Sequence, residues 1–298
     1  MALGALFSAW ELFRDPILVA AIAGAVLGYL GVFVVMRRMV FSAAALAQAA
    51  GCGVATAFFL QIHAGLPESL ASPRAWSLGA TLLAIWILQW PGRRVISREG
   101  VLALLYMLGG AVALLLGTRI SQEAHDIEAI LFGSAVVVRP EDVALVTGVA
   151  GLSAFWLLWW HRGFWFASMD PDGARVRGLP VALLDTVLLL LLAGCISVAT
   201  HALGALPVFA FSVLPALAVM ALCRIPWLAL ALAASLGAAA GAGGYLLAYV
   251  GEFPVGASQT ALAAAFVLAA LAVRGLGRLL AWLRAWPAAA PSQELPNA

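Results

Sequence analysis

Residues 36–62 read MRRMVFSAAALAQAAGCGVATAFFLQI. Two arginines, Arg37 and Arg38, run straight into an apolar stretch whose middle offers only Gln48 and Cys52 as polar groups. Such a run is long enough to cross a hydrocarbon core of about 30 Å as a helix. It is one of a series. Comparable runs fall at roughly 16–36, 43–62, 75–90, 100–117, 141–160, 181–200, 203–222, 227–250 and 257–273. The expected fold is all-α: a polytopic helical membrane protein of nine spans, or eight if one of the two weakest is re-entrant. Those two are 75–90, which is short, and 203–222, which begins with Gly204 and Pro207 and is interrupted by Pro215.

Composition agrees. The chain is 64% hydrophobic and 10% charged with a mean hydropathy of +1.05, against about 25% charged residues in soluble domains. Continuous apolar runs, rather than short alternating ones, argue against a barrel. All 16 basic residues are arginine. A Walker A loop, which sets a lysine on nucleotide phosphates, is therefore excluded, and so is Schiff-base chemistry. If ATP is used, a partner must hold it. HExxH, GxSxG and an intramembrane aspartate pair are also missing, which removes the parts for hydrolysis. The cysteines, Cys52, Cys195 and Cys223, lie far apart in or beside apolar segments and read as small buried side chains. The start of the chain lacks the basic region and cleavage signature of a signal peptide, so the first span is expected to be retained.

Assigning the loops to alternate sides places twelve arginines on one side and four (Arg14, Arg74, Arg119 and Arg139) on the other. The positive-inside rule makes the first side the cytoplasm, with the N-terminus outside and the C-terminus inside. The outer side collects acids and histidines, among them Glu68, Asp142, Glu252, His63, His125, Asp126 and His201. That face reads either as ordinary solvated loops or as a docking surface or cation-attracting entrance. His125, Asp126 and Glu252 are its entrance candidates. The chain is expected to form a single transmembrane domain over 1–285, followed by a disordered Pro/Ala-rich tail over 286–298.

One segment on the arginine-rich side is too polar to span. In FASMDPDGARVRGLPVALLD (166–185), Asp170 and Asp172 flank Pro171 and precede Ala174, Arg175 and Arg177. Acid at the start and base further on predict a short N-capped helix, ended by Gly178 and Pro180. A short amphipathic helix there is suited to insert into a soluble partner, though spacing alone is also compatible with a linker.

Read in order, these blocks resemble the membrane subunits of ABC importers for zinc, manganese and iron. LGVFVVMRRM (30–39) looks like that family's first helix and its cytoplasmic exit. ILFG (130–133) with RPED (139–142) looks like its external segment, and DPDGARVRG (170–178) like its coupling segment. GALPVFAFSVLPALAVM (204–220) and EFPVGAS (252–258) resemble its Gly-to-Pro helix and the turn before its last helix. The resemblance implies a paired permease, possessing no cofactor of its own, in a bacterial-type cytoplasmic membrane. It implies cytoplasmic ATPase subunits holding ATP and magnesium, a second permease copy and an external or periplasmic substrate-binding protein. Membrane lipid surrounds it, and no nucleic acid is implied. Asp170, Asp172, Ala174, Arg175, Arg177 and Gly178 would then couple to the ATPase. Helices 43–62 and 181–222 would line the path.

The family's second helix typically reads Gly-Asp-x-Leu-x-His, with carboxylate and imidazole one turn apart on one face. Here Ala44 and Gln48 stand at those two positions. The fourth helix often carries a polar Ala-His-Ser stretch, and here the corresponding region is LLYMLGG (104–110). The remaining path-lining candidates are Ala44, Gln48, Cys52, Cys195, His201, Ser212 and Pro215. A softer site of Gln48, Cys52 and Cys195 is conceivable, although an amide oxygen is a poor transition-metal ligand. No metal site is assigned. The sequence thus supports a metal importer whose path holds no tight site. Its alternative is a family member that moves a metal chelate or a non-metal solute, and a non-transporting membrane scaffold is a third class.

Overall fold

The computed structural model describes residues 10–90, 97–120, 138–223 and 225–285. Over these residues the chain forms α1 (Trp10–Met36), α2 (Val40–His63), α3 (Pro73–Gln89), α4 (Arg98–Ile120), α5 (Pro140–Trp159), α6 (His161–Met169), α7 (Pro171–Val176), α8 (Val181–Leu203), α9 (Ala205–Leu222), α10 (Pro226–Gly251) and α11 (Val255–Ala285). No strand occurs among the described residues. Proline begins α3, α5 and α10, where its missing N–H is one the first turn leaves unpaired anyway.

Among the described residues eight helices, α1, α2, α4, α5 and α8 to α11, are long and apolar enough to cross a membrane. The short segment expected at 75–90 is α3, with 17 residues, about 25 Å at the helical rise. It lies antiparallel along α8. The Ser77 hydroxyl donates to the Ser197 carbonyl at 3.1 Å, and at the far end of α3 the Thr186 hydroxyl donates to Gln89 at 3.4 Å. α3 therefore runs between the same two polar ends as the longer helices.

The other doubtful segment is continuous. Pro215 does not interrupt α9. Its ring is buried beside Gly28 of α1, and neighbouring helices make such a proline tolerable inside a membrane helix. The break falls one residue before the helix instead, at Gly204, whose φ of 90° turns α8 directly into α9.

α1, α2, α8 and α9 form the centre. In α2, 67% of the spanning window is buried, whereas in α11 only 11% is, so α11 faces outward along most of its length. Between helices in lipid there is little hydrophobic drive, and close backbone approach takes its place. The spacing of Gly24, Gly28 and Gly31 against Gly237, Gly241 and Gly244 anticipates this. A Cβ on Gly24 would land on the Gly237 carbonyl, and one on Gly241 on the Ala20 carbonyl. Only glycine permits that seam between α1 and α10. Residues 286–298, expected as a tail, lie outside the described residues.

Candidate functional site: a path wall between two polar ends

At the arginine-rich end, the segment 170–178 forms a capped single turn. The Asp170 carboxylate accepts the Gly173 N–H at 2.9 Å, which satisfies a first-turn donor of α7. Arg175 pairs with Asp172 at 2.8 Å across the exposed face. At the other end Gly178 takes φ +77°, while Leu179 N–H reaches the Ala174 carbonyl and Gly178 N–H that of Arg175, each at 3.0 Å. That bond pair is a Schellman cap around glycine. Ala174 is buried, and the Arg177 guanidinium lies 4.8 Å over the Phe166 ring. Val176, by contrast, is 89% exposed, beside exposed Asp172 and Met169. α7 thus has one face fixed to the protein and one face open.

Behind α7 lies a contact that sequence spacing gives no hint of. Arg37, just past α1, is buried with 6% side-chain exposure and pairs with Asp185 in the first turns of α8. Its Nε donates to Ser168 Oγ at 2.8 Å, another nitrogen donates to the Phe164 carbonyl at 3.3 Å, and its carbon lies 5.8 Å from the Phe164 ring centre. Burial pushes the Arg37 pKa down, and the Asp185 carboxylate pulls it back up. The residue after it, Arg38, has φ +57°. Met39 N–H bonds to the Val34 carbonyl at 2.8 Å and Arg38 N–H to that of Val35 at 3.1 Å. This is the same cap as at Gly178, built on a side-chain-bearing residue. A cavity of about 740 Å³ opens here, lined by Arg37, Arg38, Arg98, Arg175, Asp185 and Thr186 among others.

The wall that would face a cargo is α2. Ala44 is buried, while Gln48, Cys52 and Thr56 form a half-buried stripe at helical spacing. Gln48 meets α4. A Cβ on Gly110 would stand 3.2 Å from Gln48 Oε1, and one on Gly109 would stand 3.1 Å from the Gln48 backbone. The two stretches in which the sequence departs from the family pattern, at Gln48 and at Leu104–Gly110, therefore meet in space. One turn on, Cys52 and Thr56 line a mostly apolar cavity of about 380 Å³ with Trp76, Gly79, Ala80 and Leu83 of α3.

Cys195 does not join them. It is buried on another face of α8, with Sγ 3.2 Å from Ser153 Oγ of α5 and Val26 of α1 nearby. The softer set of Gln48, Cys52 and Cys195 is thus not assembled within the chain. Ser212 and Pro215 are buried where α9 packs on α1, and the Ser212 hydroxyl bonds the Phe209 carbonyl. Among the described residues no three His, Cys, Asp or Glu side chains are placed to hold a metal ion.

His201 belongs to the opposite end. There the Asp142 carboxylate, in the first turn of α5, folds back to accept the Arg139 N–H at 3.1 Å, while its own N–H bonds the Arg139 carbonyl at 2.9 Å. Arg74 of α3 reaches Asp142 at 2.8 Å and Glu141 at 3.5 Å, Arg139 lies 3.7 Å from Glu68, and His201 Nε2 stands 3.8 Å from Asp142. Glu252 is elsewhere. It adopts φ +56° to end α10, with Phe253 N–H on the Ala248 carbonyl at 3.0 Å. His125 and Asp126 lie outside the described residues.

Comparisons with known proteins agree with this architecture. The manganese import system permease protein ScaB of Streptococcus parasanguinis is 25% identical over 257 residues, covering 86% of this chain and 89% of that protein. The chelated iron transport system membrane protein YfeD of Yersinia pestis is 26% identical over 216 residues, covering 72% and 70%. In three dimensions the chain is similar to PsaBC from Streptococcus pneumoniae, solved in complex with Fab. The TM-score is 0.77 at 22% identity, over 90% of this chain and 94% of that one. The sequence pattern of the ABC 3 transport family matches residues 9–274. With that match over nearly all of its helices, the chain belongs to the ABC 3 transport family and is a multi-pass membrane permease.

Proposed function

We propose that this chain is the membrane subunit of an ATP-driven importer for a divalent transition metal (manganese, iron or zinc). An external binding protein would deliver the ion, and two permease copies would form the path by alternating access in the cytoplasmic membrane. ATP and magnesium would sit on separate cytoplasmic ATPase subunits, since the chain has no lysine for a phosphate loop. The observation that carries the reading is the family match, together with a capped α7 that keeps one face open on the arginine-rich end. The names of the similar permeases supply the metal class. The arginine excess supports placing the α7 end on the cytoplasmic side.

A second reading has its own support. Gln48 against Gly109 and Gly110 leaves the path wall without a carboxylate or imidazole, and the neighbouring cavity is walled by alanine, glycine and tryptophan. Such a wall suits a chelate or a less charged solute, whereas a bare divalent cation prefers hard or imidazole ligands.

Reconstitution with the ATPase and the genetically paired binding protein separates the two. ATP-dependent accumulation of manganese, iron or zinc, followed by elemental analysis and little changed in Gln48→His/Ala44→Asp, is the expected result. ATPase activity that responds to the binding protein without metal movement would transfer the assignment to the second reading.

A further inference from the structure

Resting on the reading of α7 as the segment that meets the ATPase, we infer that Arg37 is a positioning residue. It fastens the arginine-rich ends of α1 and α8 to the α6–α7 elbow, so that a displacement of α7 reaches both spans as one movement.

The geometry leaves α7 two routes into the membrane. One is covalent: after Gly178 and Pro180 the chain enters α8 at Val181, whose N–H bonds the Leu179 carbonyl at 2.9 Å. The other passes through α6. Asp170 is at once the C-cap of α6, with its N–H on the Phe166 carbonyl at 3.0 Å, and the N-cap of α7. The two short helices therefore form a single elbow. α7 packs on α6 and α8, and α6 in turn packs on α1.

The polar contact between α6 and α1 is made by Arg37. Its planar fork is divided among Asp185 of α8, Ser168 of α6 and the Phe164 carbonyl of α6. Aromatic packing holds the same joint, with Phe33 of α1 6.1 Å from Phe164 and 6.3 Å from Trp165. Apolar contacts alone permit sliding. Charge-assisted bonds to acceptors on two helices do not, because each fixes direction as well as distance. Arg37 itself cannot swing away freely, since the Schellman bonds through Arg38 and Met39 lock its backbone. With the side chain nearly sealed from water, a broken pair would strand a buried cation. The clasp is therefore expected to stay closed while the elbow moves.

Two variants test this: Asp185→Asn, which keeps an oxygen acceptor but removes the charge, and Arg37→Lys, which keeps the charge but loses the fork. The first measurement uses the purified full chain without any partner. If the clasp links the elements, hydrogen exchange in either variant rises together at 33–39 and at 164–178, including α7 amides that neither residue touches. A change confined to the substituted residue's own helix turn would overturn the inference, whatever the protein transports. The second uses proteoliposomes with the ATPase. Each ATP hydrolysed is expected to move about tenfold less substrate, in protein whose folded fraction matches the unaltered chain. Hydrolysis and transport falling in step, or neither changing, would overturn it. An unaltered complex that fails to hydrolyse ATP would instead count against the importer reading, and the exchange result would still decide the linkage.

Discussion

The two ends of the bundle solve the same problem with opposite charges. At the arginine-rich end the cation is buried: Arg37 is 6% exposed and its partner Asp185 45%. At the other end the anion is buried: Asp142 is 9% exposed and Arg74 29%. One clasp ties α1, α6 and α8; the other ties α3, α5 and α8. α8 is common to both, with Asp185 near its start and His201 near its end. A helix anchored at both ends behaves as a strut. The difference also shows which partner matters more. Each pair consists of a sealed charge and a half-hydrated one, so removing the hydrated member leaves the costlier orphan.

That asymmetry can be broken by experiment. The largest loss is expected from Asp185→Asn, which strands the Arg37 side chain, only 6% exposed. About 3 kcal/mol is the low end for an uncompensated buried ion, and Arg37→Met should cost less because Asp185 can rehydrate. Thermal unfolding in detergent checks the order, and a larger loss for Arg37→Met would refute the asymmetry. At the opposite end the order of residues reverses. Arg74→Met, which removes the carboxylate's charged partner, should lower the unfolding midpoint more than Asp142→Asn. Its cost should be about 2 kcal/mol, because the Arg139 N–H still pairs with Asp142. The smallest effect sharpens the comparison instead of breaking it. Arg38→Gly relieves a left-handed backbone without touching Arg37's acceptors, and it should stabilise by about 1 kcal/mol. A lowered midpoint would show that the Arg38 side chain contributes more than its conformation costs.

What the sequence made legible follows from distance along the chain. The capped turn at 170–178 could be read residue by residue because every contact in it is local: Asp170 to Gly173, Asp172 to Arg175, glycine at 178. The long apolar spans were legible from length alone, and the brevity of α3 was seen, though not that it pairs along α8. The clasps were not legible. Arg37 and Asp185 are 148 residues apart, and nothing in either neighbourhood names the other. The cap at Arg38 lacked its usual glycine, so no signal marked it. Cys195 looked like a companion to Cys52 only until the helix faces were fixed, when it turned toward α5. The absence of ligands at Gln48 and in 104–110 was plain in the letters, but that both stretches meet in one patch required the packing of α2 on α4.

The glycine seam between α1 and α10 bears on how this protein can change over time. Every one-letter replacement at Gly24 or Gly241 adds at least a Cβ, and that atom would meet a backbone carbonyl, which has no rotamer to yield with. The pair is thus closed to drift, while the outward side of α11, where Leu268, Leu271 and Leu276 project away from the bundle, accepts any apolar substitute of suitable length. Lineages of this permease would accordingly wander at the lipid boundary and stand still along one narrow internal line.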